Sequence, residues 1–153
     1  MILKTIGVLL LLFCAAVAYV RLAPLHPDRW HHALDIPADA PSGEVFDVTA
    51  GHAAFRAEYD IPAAQLLEAF DAVALTSPRT KRLAGSPEEG MVTYATRSRV
   101  IGFPDLTTAS ATESAATTSL TIHGRLRFGA SDLGVNAARI SGWVDALHRR
   151  LEL

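Results

Sequence analysis

Fifteen consecutive residues, Ile6 to Val20, carry no charge, and Lys4 and Arg21 flank them. As a helix this run would span about 23 Å, short of a hydrocarbon core unless Thr5 and snorkelling Lys4 or Arg21 side chains lengthen it. The pattern predicts an N-terminal membrane anchor or signal segment over residues 1–21, with residues 5–20 in contact with the membrane. Ala16-Val17-Ala18 ahead of Tyr19 supplies the small-x-small site of a cleaved secretory signal, so a retained anchor and a cleaved signal both stand. Both export the domain. Phe13 stands before Cys14 where a lipoprotein signal would carry a small residue.

Beyond the apolar run the periodicity changes. Pro24, Pro27, Pro37 and Pro41 interrupt residues 22–42, which also hold Trp30 beside His26, His31 and His32, and this stretch reads as a linker or irregular lid. Trp30 with Arg29 suits the headgroup level of a membrane. From residue 43 to 153 the chain reads as one α+β domain. Glu44–Thr49 and Ala54–Tyr59 alternate apolar and polar residues around Gly51, as paired strands do. Leu66, Leu67, Phe70, Val73 and Ala74 then recur at three- and four-residue spacing, so a helix is expected from about Pro62 to Leu75, stopped at Ser77-Pro78. The short, basic Thr80–Ala84 precedes a loop at Gly85–Gly90. Strand-like runs follow at Met91–Ile101, Leu106–Glu113 and Ser119–Phe128. A last helix is expected from an N-cap at Asn136, with Ile140, Trp143, Val144, Leu147 and Leu151 on one stripe. The fold expected is a curved, mostly antiparallel sheet of about five or six strands, covered by two helices, after the N-terminal helix.

Charge sharpens this picture. Residues 22–78 hold nine acids and two bases, whereas residues 79–153 hold ten bases and seven acids, so only the C-terminal part is suited to meet an anion. A pI of about 6.3 and the lack of a basic run interleaved with aromatics exclude nucleic acid as the expected partner. Cys14, the only cysteine, lies in the apolar run, which leaves the domain without disulfide or thiolate chemistry. Adjacent His31 and His32 point apart in an extended chain with no carboxylate spacing to complete a set, so no metal is expected; nor is a cofactor.

The candidate chemistry gathers at residues 125–139, RLRFGASDLGVNAAR. Along the preceding strand Thr121, His123, Arg125 and Arg127 share one face, and Arg97 and Arg99 repeat the same i, i+2 spacing. If the two strands lie close, four guanidinium groups crowd one surface and require carboxylates or a bound anion, with Asp105 and Asp132 the natural candidates. Gly129 and Gly134 allow a tight turn, Ser131-Asp132 can fold onto nearby amides, and the helix opening at Asn136 directs its first N–H groups at whatever lies before it. Arg97, Arg99, Asp105, Arg125, Arg127, Ser131, Asp132, Asn136 and Arg139 make up the nine-residue candidate anion-binding site or structural clasp.

SRVIGFPD at 98–105, RLRFGASDLGVNAAR at 125–139 and the closing tryptophan-bearing helix resemble the DUF1499 family of uncharacterised proteins, and RLAPLHPDRWH at 21–31 is similar to its alphaproteobacterial members. The resemblance covers most of the chain after the apolar segment. It implies an export or membrane context; with the apolar run, the expected location is the inner membrane as a single-pass protein with its domain in the periplasm, or the periplasm or exterior after signal cleavage. It transfers no activity. A Cys-Pro…Asn-Cys-Val-Ser type of segment that often opens the family's domain has no cysteine here, and where many relatives read Ser-Arg-Ser-Arg this chain has Gly124-Arg125-Leu126-Arg127.

Three functions compete. The first is a non-enzymatic envelope protein binding an anionic small molecule, a lipid headgroup or a partner's carboxylate through the arginines. The second is a hydrolase-like enzyme with Asp105 or Asp132 as general base beside an arginine clamp. Only His123 among the histidines stands near either aspartate in sequence, no Gly-x-Ser-x-Gly elbow is present, and carboxylates beside arginines should be acidic, so no catalytic residue is assigned. The third is a structural or assembly role with an envelope partner.

Overall fold

The computed structural model describes residues 2–37 and 39–153; Met1 and Ala38, which the anchor and linker expectations include, lie outside the described residues. Helix α1 runs over Ile2–Leu22. Residues 2–5 extend the apolar run by a full turn, and the helix reaches about 30 Å, the thickness the fifteen-residue run alone falls short of. None of its described side chains is buried. The Ala23 amide closes its last turn on the Tyr19 carbonyl (2.8 Å) before Pro24 ends it.

The prolines after α1 do not exclude helix altogether. Pro27 opens a single turn, α2 (Pro27–Trp30), because proline at the first helical position gives up only an N–H that has no partner there. The linker then crosses one face of the sheet.

That sheet holds β1 (Val45–Thr49), β2 (His52–Tyr59), β3 (Thr80–Ser86), β4 (Met91–Arg97), β5 (Pro104–Glu113) and β6 (Thr118–Leu126). Their order is β1-β2-β6-β5-β4-β3, every neighbouring pair is antiparallel, and the sheet is open, with β1 and β3 at its edges. Helix α3 (Ala63–Thr76) carries the chain across one face from β2 to the far edge at β3, and α4 (Val135–Leu151) packs beside it. The α+β class, the antiparallel sheet and the two covering helices are as the periodicity predicts.

The core lies between this face and the helices. Phe55, Val92, Tyr94, Leu120 and Ile122 from the strands meet Leu66, Leu67 and Phe70 of α3 and Ile140 and Leu147 of α4, all essentially inaccessible. Each such side chain contributes about 1.5–3 kcal/mol of transfer free energy. Phe70, Tyr94 and Trp143 form a triangle with centroids 5.8–6.1 Å apart, in tilted and edge-to-face contacts. Two of these rings have polar tips, and both are matched: Tyr94 donates to Asp71 Oδ1 at 2.9 Å, and Trp143 Nε1 donates to Ser77 Oγ at 2.6 Å.

Several element boundaries differ from the sequence expectation; β2 begins at His52, β5 begins at Pro104 and β6 ends at Leu126, and three further shifts bear on the site. β4 stops at Arg97, not Ile101, because Ser98 Oγ accepts the amides of Gly102 (3.0 Å) and Phe103 (2.9 Å) and closes a loop. β3 runs on through Gly85 and Ser86, which the turn-forming residue types assign to the loop. Finally, α4 begins at Val135 behind Gly134, so Asn136 lies inside the helix and is not its N-cap. Asp132, two residues before Gly134, accepts amides at the helix start instead.

Candidate functional site

The alternation of side chains along a strand separates most of the nine candidate residues into two groups on opposite faces of the sheet. On the helix side, Asp105 pairs with Arg139 at 2.9 Å, and Arg139 also donates to Asn136 Oδ1 at 2.6 Å. Asn136 Nδ2 donates to the Gly51 carbonyl in the β1–β2 turn at 3.2 Å. Asp132 accepts the Gly134 amide on Oδ1 (3.1 Å) and the Asn136 amide on Oδ2 (2.7 Å), while Ser131 Oγ accepts from Leu133 N (3.2 Å). Ser131, Asp132, Asn136, Arg139 and Asp105 thus fasten the start of α4 to β5 and to the first hairpin. Burial raises the Asp105 pKa despite the Arg139 guanidinium, which pulls it down. Desolvation of the carboxylate outweighs the pull of the ion pair in setting this direction.

The other face carries the arginines. Arg125 is buried; it donates to the Trp30 carbonyl (2.6 Å), to Thr108 Oγ1 and to His32 Nε2 (2.8 Å), and its guanidinium lies 5.7 Å from the Trp30 ring centre. Arg127, just beyond β6, donates to the carbonyls of Pro24 (2.6 Å) and Ala23 (3.3 Å). Arg97, at the end of β4, donates to Gly102 O (3.0 Å) and Val20 O (3.5 Å). From the side of α1 Arg21 returns the contact, donating to Val100 O (2.8 Å) and Ile101 O (3.0 Å). Tyr19 meets the Phe128 ring edge-on at 6.1 Å.

The arginines are therefore not neutralised by Asp105 and Asp132, whose partners are Arg139 and the amides at the start of α4. Arg97 and Arg127 turn instead to backbone carbonyls at and just beyond the C-terminal end of α1. A helix leaves its last carbonyls unpaired and carries partial negative charge at that end, so guanidinium groups are suited to it. Arg99 departs from the expected foursome: it lies in the Ser98–Phe103 loop, exposed, and no hydrogen bond or ion pair holds it among the described residues.

Residues 23–36 form a strap over the outer face. His31 Nδ1 lies 2.9 Å from Thr93 Oγ1, which in turn bonds Thr108 Oγ1 at 2.9 Å. The strap runs so close to Gly85, at φ +75°, that a Cβ there would meet His31 Cε1 at 2.5 Å. At Gly102, φ +88°, a Cβ would meet Arg21 Cγ at 3.0 Å. Beneath the strap His123 is buried with neither ring nitrogen bonded, 5.7 Å from the His52 ring. Burial, then the charge of Arg125 and the neighbouring His52 and His32, push its pKa down to about 3. Burial also lowers Arg125 to about 10, which leaves it charged at neutral pH.

Beside the clasp a groove of about 670 Å³ opens between the end of α1, the β3–β4 edge and the Ser98–Phe103 loop. Arg21, Arg79, Lys81, Arg97 and Arg99 line it over Leu25 and Leu83. Arg82 also borders it, paired with Asp71 at 2.6 Å. Sequence reasoning alone misses Arg21, Arg79 and Lys81 as site residues. Their signals are the flanking charge of the apolar run and the basic character of Thr80–Ala84, which acquire meaning only when the edge strand is placed beside the end of α1.

An open antiparallel sheet, with two helices on one face and a strap led in by an apolar helix on the other, defines an α+β domain built around one sheet. The family model described as "Protein of unknown function (DUF1499)" matches residues 33–147, and the chain belongs to that family. The matched region contains all nine candidate residues but begins after α1 and most of the strap. In structure the chain is similar to protein MLL2253 from Mesorhizobium loti, with a TM-score of 0.50 at 12% identity over 66% of this chain and 96% of that one, a likeness of fold alone. Protein Ms6760 from Mycobacterium smegmatis gives a TM-score of 0.40 at 11% identity over 73% of this chain and 96% of that one. No curated protein matches.

Proposed function

We propose that this chain is a non-enzymatic envelope protein that stays in the inner membrane through α1 and holds its domain, on the periplasmic side, against the membrane surface. The observation that carries this reading is the set of guanidinium–carbonyl bonds joining the anchor's end to the domain: Arg97 to Val20, Arg127 to Ala23 and Pro24, and Arg21 to Val100 and Ile101. All of these bonds lie C-terminal to Ala18-Tyr19 and tie residues 20–24 to the domain; with α1 retained they join the end of the membrane helix to it. The end of the membrane helix is then fastened to the domain by these bonds.

The hydrolase reading finds no support in the geometry. Asp105 is committed to Arg139, both oxygens of Asp132 accept backbone amides, and neither carboxylate is paired with Arg97, Arg125 or Arg127.

The test uses Cys14, which lies upstream of the cleavage site. Protein recovered from carbonate-washed membranes should show the intact mass of the full chain and titrate one thiol per molecule. A soluble product without a thiol, beginning at Tyr19, would overturn the reading.

A further inference from the structure

The groove beside the clasp concentrates charge that nothing in the fold neutralises. Arg21 and Arg97 spend their hydrogen bonds on carbonyls, and Arg79 Nε donates to the Arg97 carbonyl at 3.0 Å, so none of the three loses its positive charge to a carboxylate. Lys81 and Arg99 are exposed. Among the described residues the only ion pairs are Arg82–Asp71 and Arg139–Asp105, and neither involves these five side chains. Five like charges around one concavity repel one another and raise the local concentration of anions.

The position of the groove says which anion. Arg21 belongs to the last turn of the apolar helix, so the groove opens where the hydrocarbon segment ends. Leu22 (81% exposed) and Val100 (79% exposed) are the chain neighbours of its lining residues Arg21 and Arg99, and the carbonyls of Val100 and Ile101 are held by Arg21, which fixes that loop against the anchor. Exposed apolar side chains next to a basic concavity, with Leu25 and Leu83 in its lining, suit a molecule with a phosphate at one end and hydrocarbon at the other. We propose that Arg21, Arg79, Lys81, Arg97 and Arg99 form a binding site for the phosphate headgroup of an anionic phospholipid in the leaflet from which α1 emerges. Arg79 and Arg97 stand at one end of the β3–β4 pair, while Lys81 and Arg99 reach from the exposed edge and the loop. The lipid holds the domain in its docked orientation.

This inference rests on the retained anchor, and its test is arranged to fail separately. The full chain, purified in a zwitterionic detergent, is titrated with phosphatidylglycerol or with phosphatidylcholine, and bound lipid is counted by native mass spectrometry. Phosphatidylglycerol should be retained at least about tenfold more tightly than phosphatidylcholine. The Lys81→Glu/Arg99→Glu variant, which changes two exposed side chains, should lose that preference. The Arg149→Glu/Arg150→Glu variant makes the same charge change at the far end of α4 and should keep it. Equal retention of the two lipids, an unaltered preference in Lys81→Glu/Arg99→Glu, or full displacement by millimolar inorganic phosphate, which would mark a free-phosphate site, overturns the inference. Because the assay begins from a chain whose intact mass includes α1, any of these results leaves the anchor reading standing.

Discussion

Acid should loosen this domain through one side chain. His123 sits on β6 beneath the strap, 5% exposed, facing Arg125 on its own strand, the His52 ring on β2 and His32 on the strap. Its pKa falls from 6.5 to about 3 in the folded chain. The unfolded chain therefore takes up a proton as pH drops below 6.5 and the folded chain does not, so stability is fully present above that pH and declines until the pH reaches the folded value. At about 1.4 kcal/mol per pH unit, lowering the pH from 7.5 to 5 costs the wild type about 2 kcal/mol through this group alone. His123→Leu is apolar, of similar size and without a proton to bind. The assay is urea unfolding of the detergent-solubilised full chain at both pH values, followed by the fluorescence of Trp30 and Trp143. The difference between the two proteins isolates His123 from groups such as Asp105, whose raised pKa acts in the opposite sense. Equal losses in wild type and His123→Leu would rule out His123 as the acid-sensitive group.

Arg139→Met should cost about 3–5 kcal/mol at pH 7.5, because it strands the half-buried Asp105 carboxylate, and the cost should shrink in acid as that carboxyl protonates; urea midpoints at the two pH values test this. Gly102→Ala should cost about 1–2 kcal/mol for a side chain at φ +88° and should also push Arg21 away, read as a lower urea midpoint and faster proteolysis within residues 98–103. Asp71→Asn weakens the pairing of Arg82 and the bond to the Tyr94 hydroxyl; a loss of about 2 kcal/mol is expected by urea unfolding.

The helices are legible in the sequence because their apolar stripes at three- and four-residue spacing report burial directly, and Leu66 to Ala74 and Ile140 to Leu147 pack as that spacing requires. The alternation along Thr118–Leu126 likewise puts His123 and Arg125 on one face. The features that escape a local reading are longer in range. Nothing in the residue pattern marks the end of β4 at Arg97, since the stop comes from a serine hydroxyl capturing amides four and five residues ahead. Nor does charge counting reveal that carbonyls take Arg97 and Arg127, and a carbonyl, a threonine hydroxyl and a histidine take Arg125, in place of the aspartates. The proline-rich stretch gives no periodic signal because its packing runs through Trp30 O, His31 and His32, one contact at a time.

The docking of α1 on the domain is tested most directly by cross-linking. In a Cys14→Ser background, cysteines replace Tyr19 and Phe128, whose rings lie 6.1 Å apart, and intact membranes are treated with a short bis-maleimide. Rapid, nearly complete intramolecular cross-linking is expected, and it should slow sharply when Arg97→Met and Arg127→Met are added. Cross-linking no faster than that of a cysteine pair at Tyr19 and exposed Glu152 would mean that α1 and the domain are not docked.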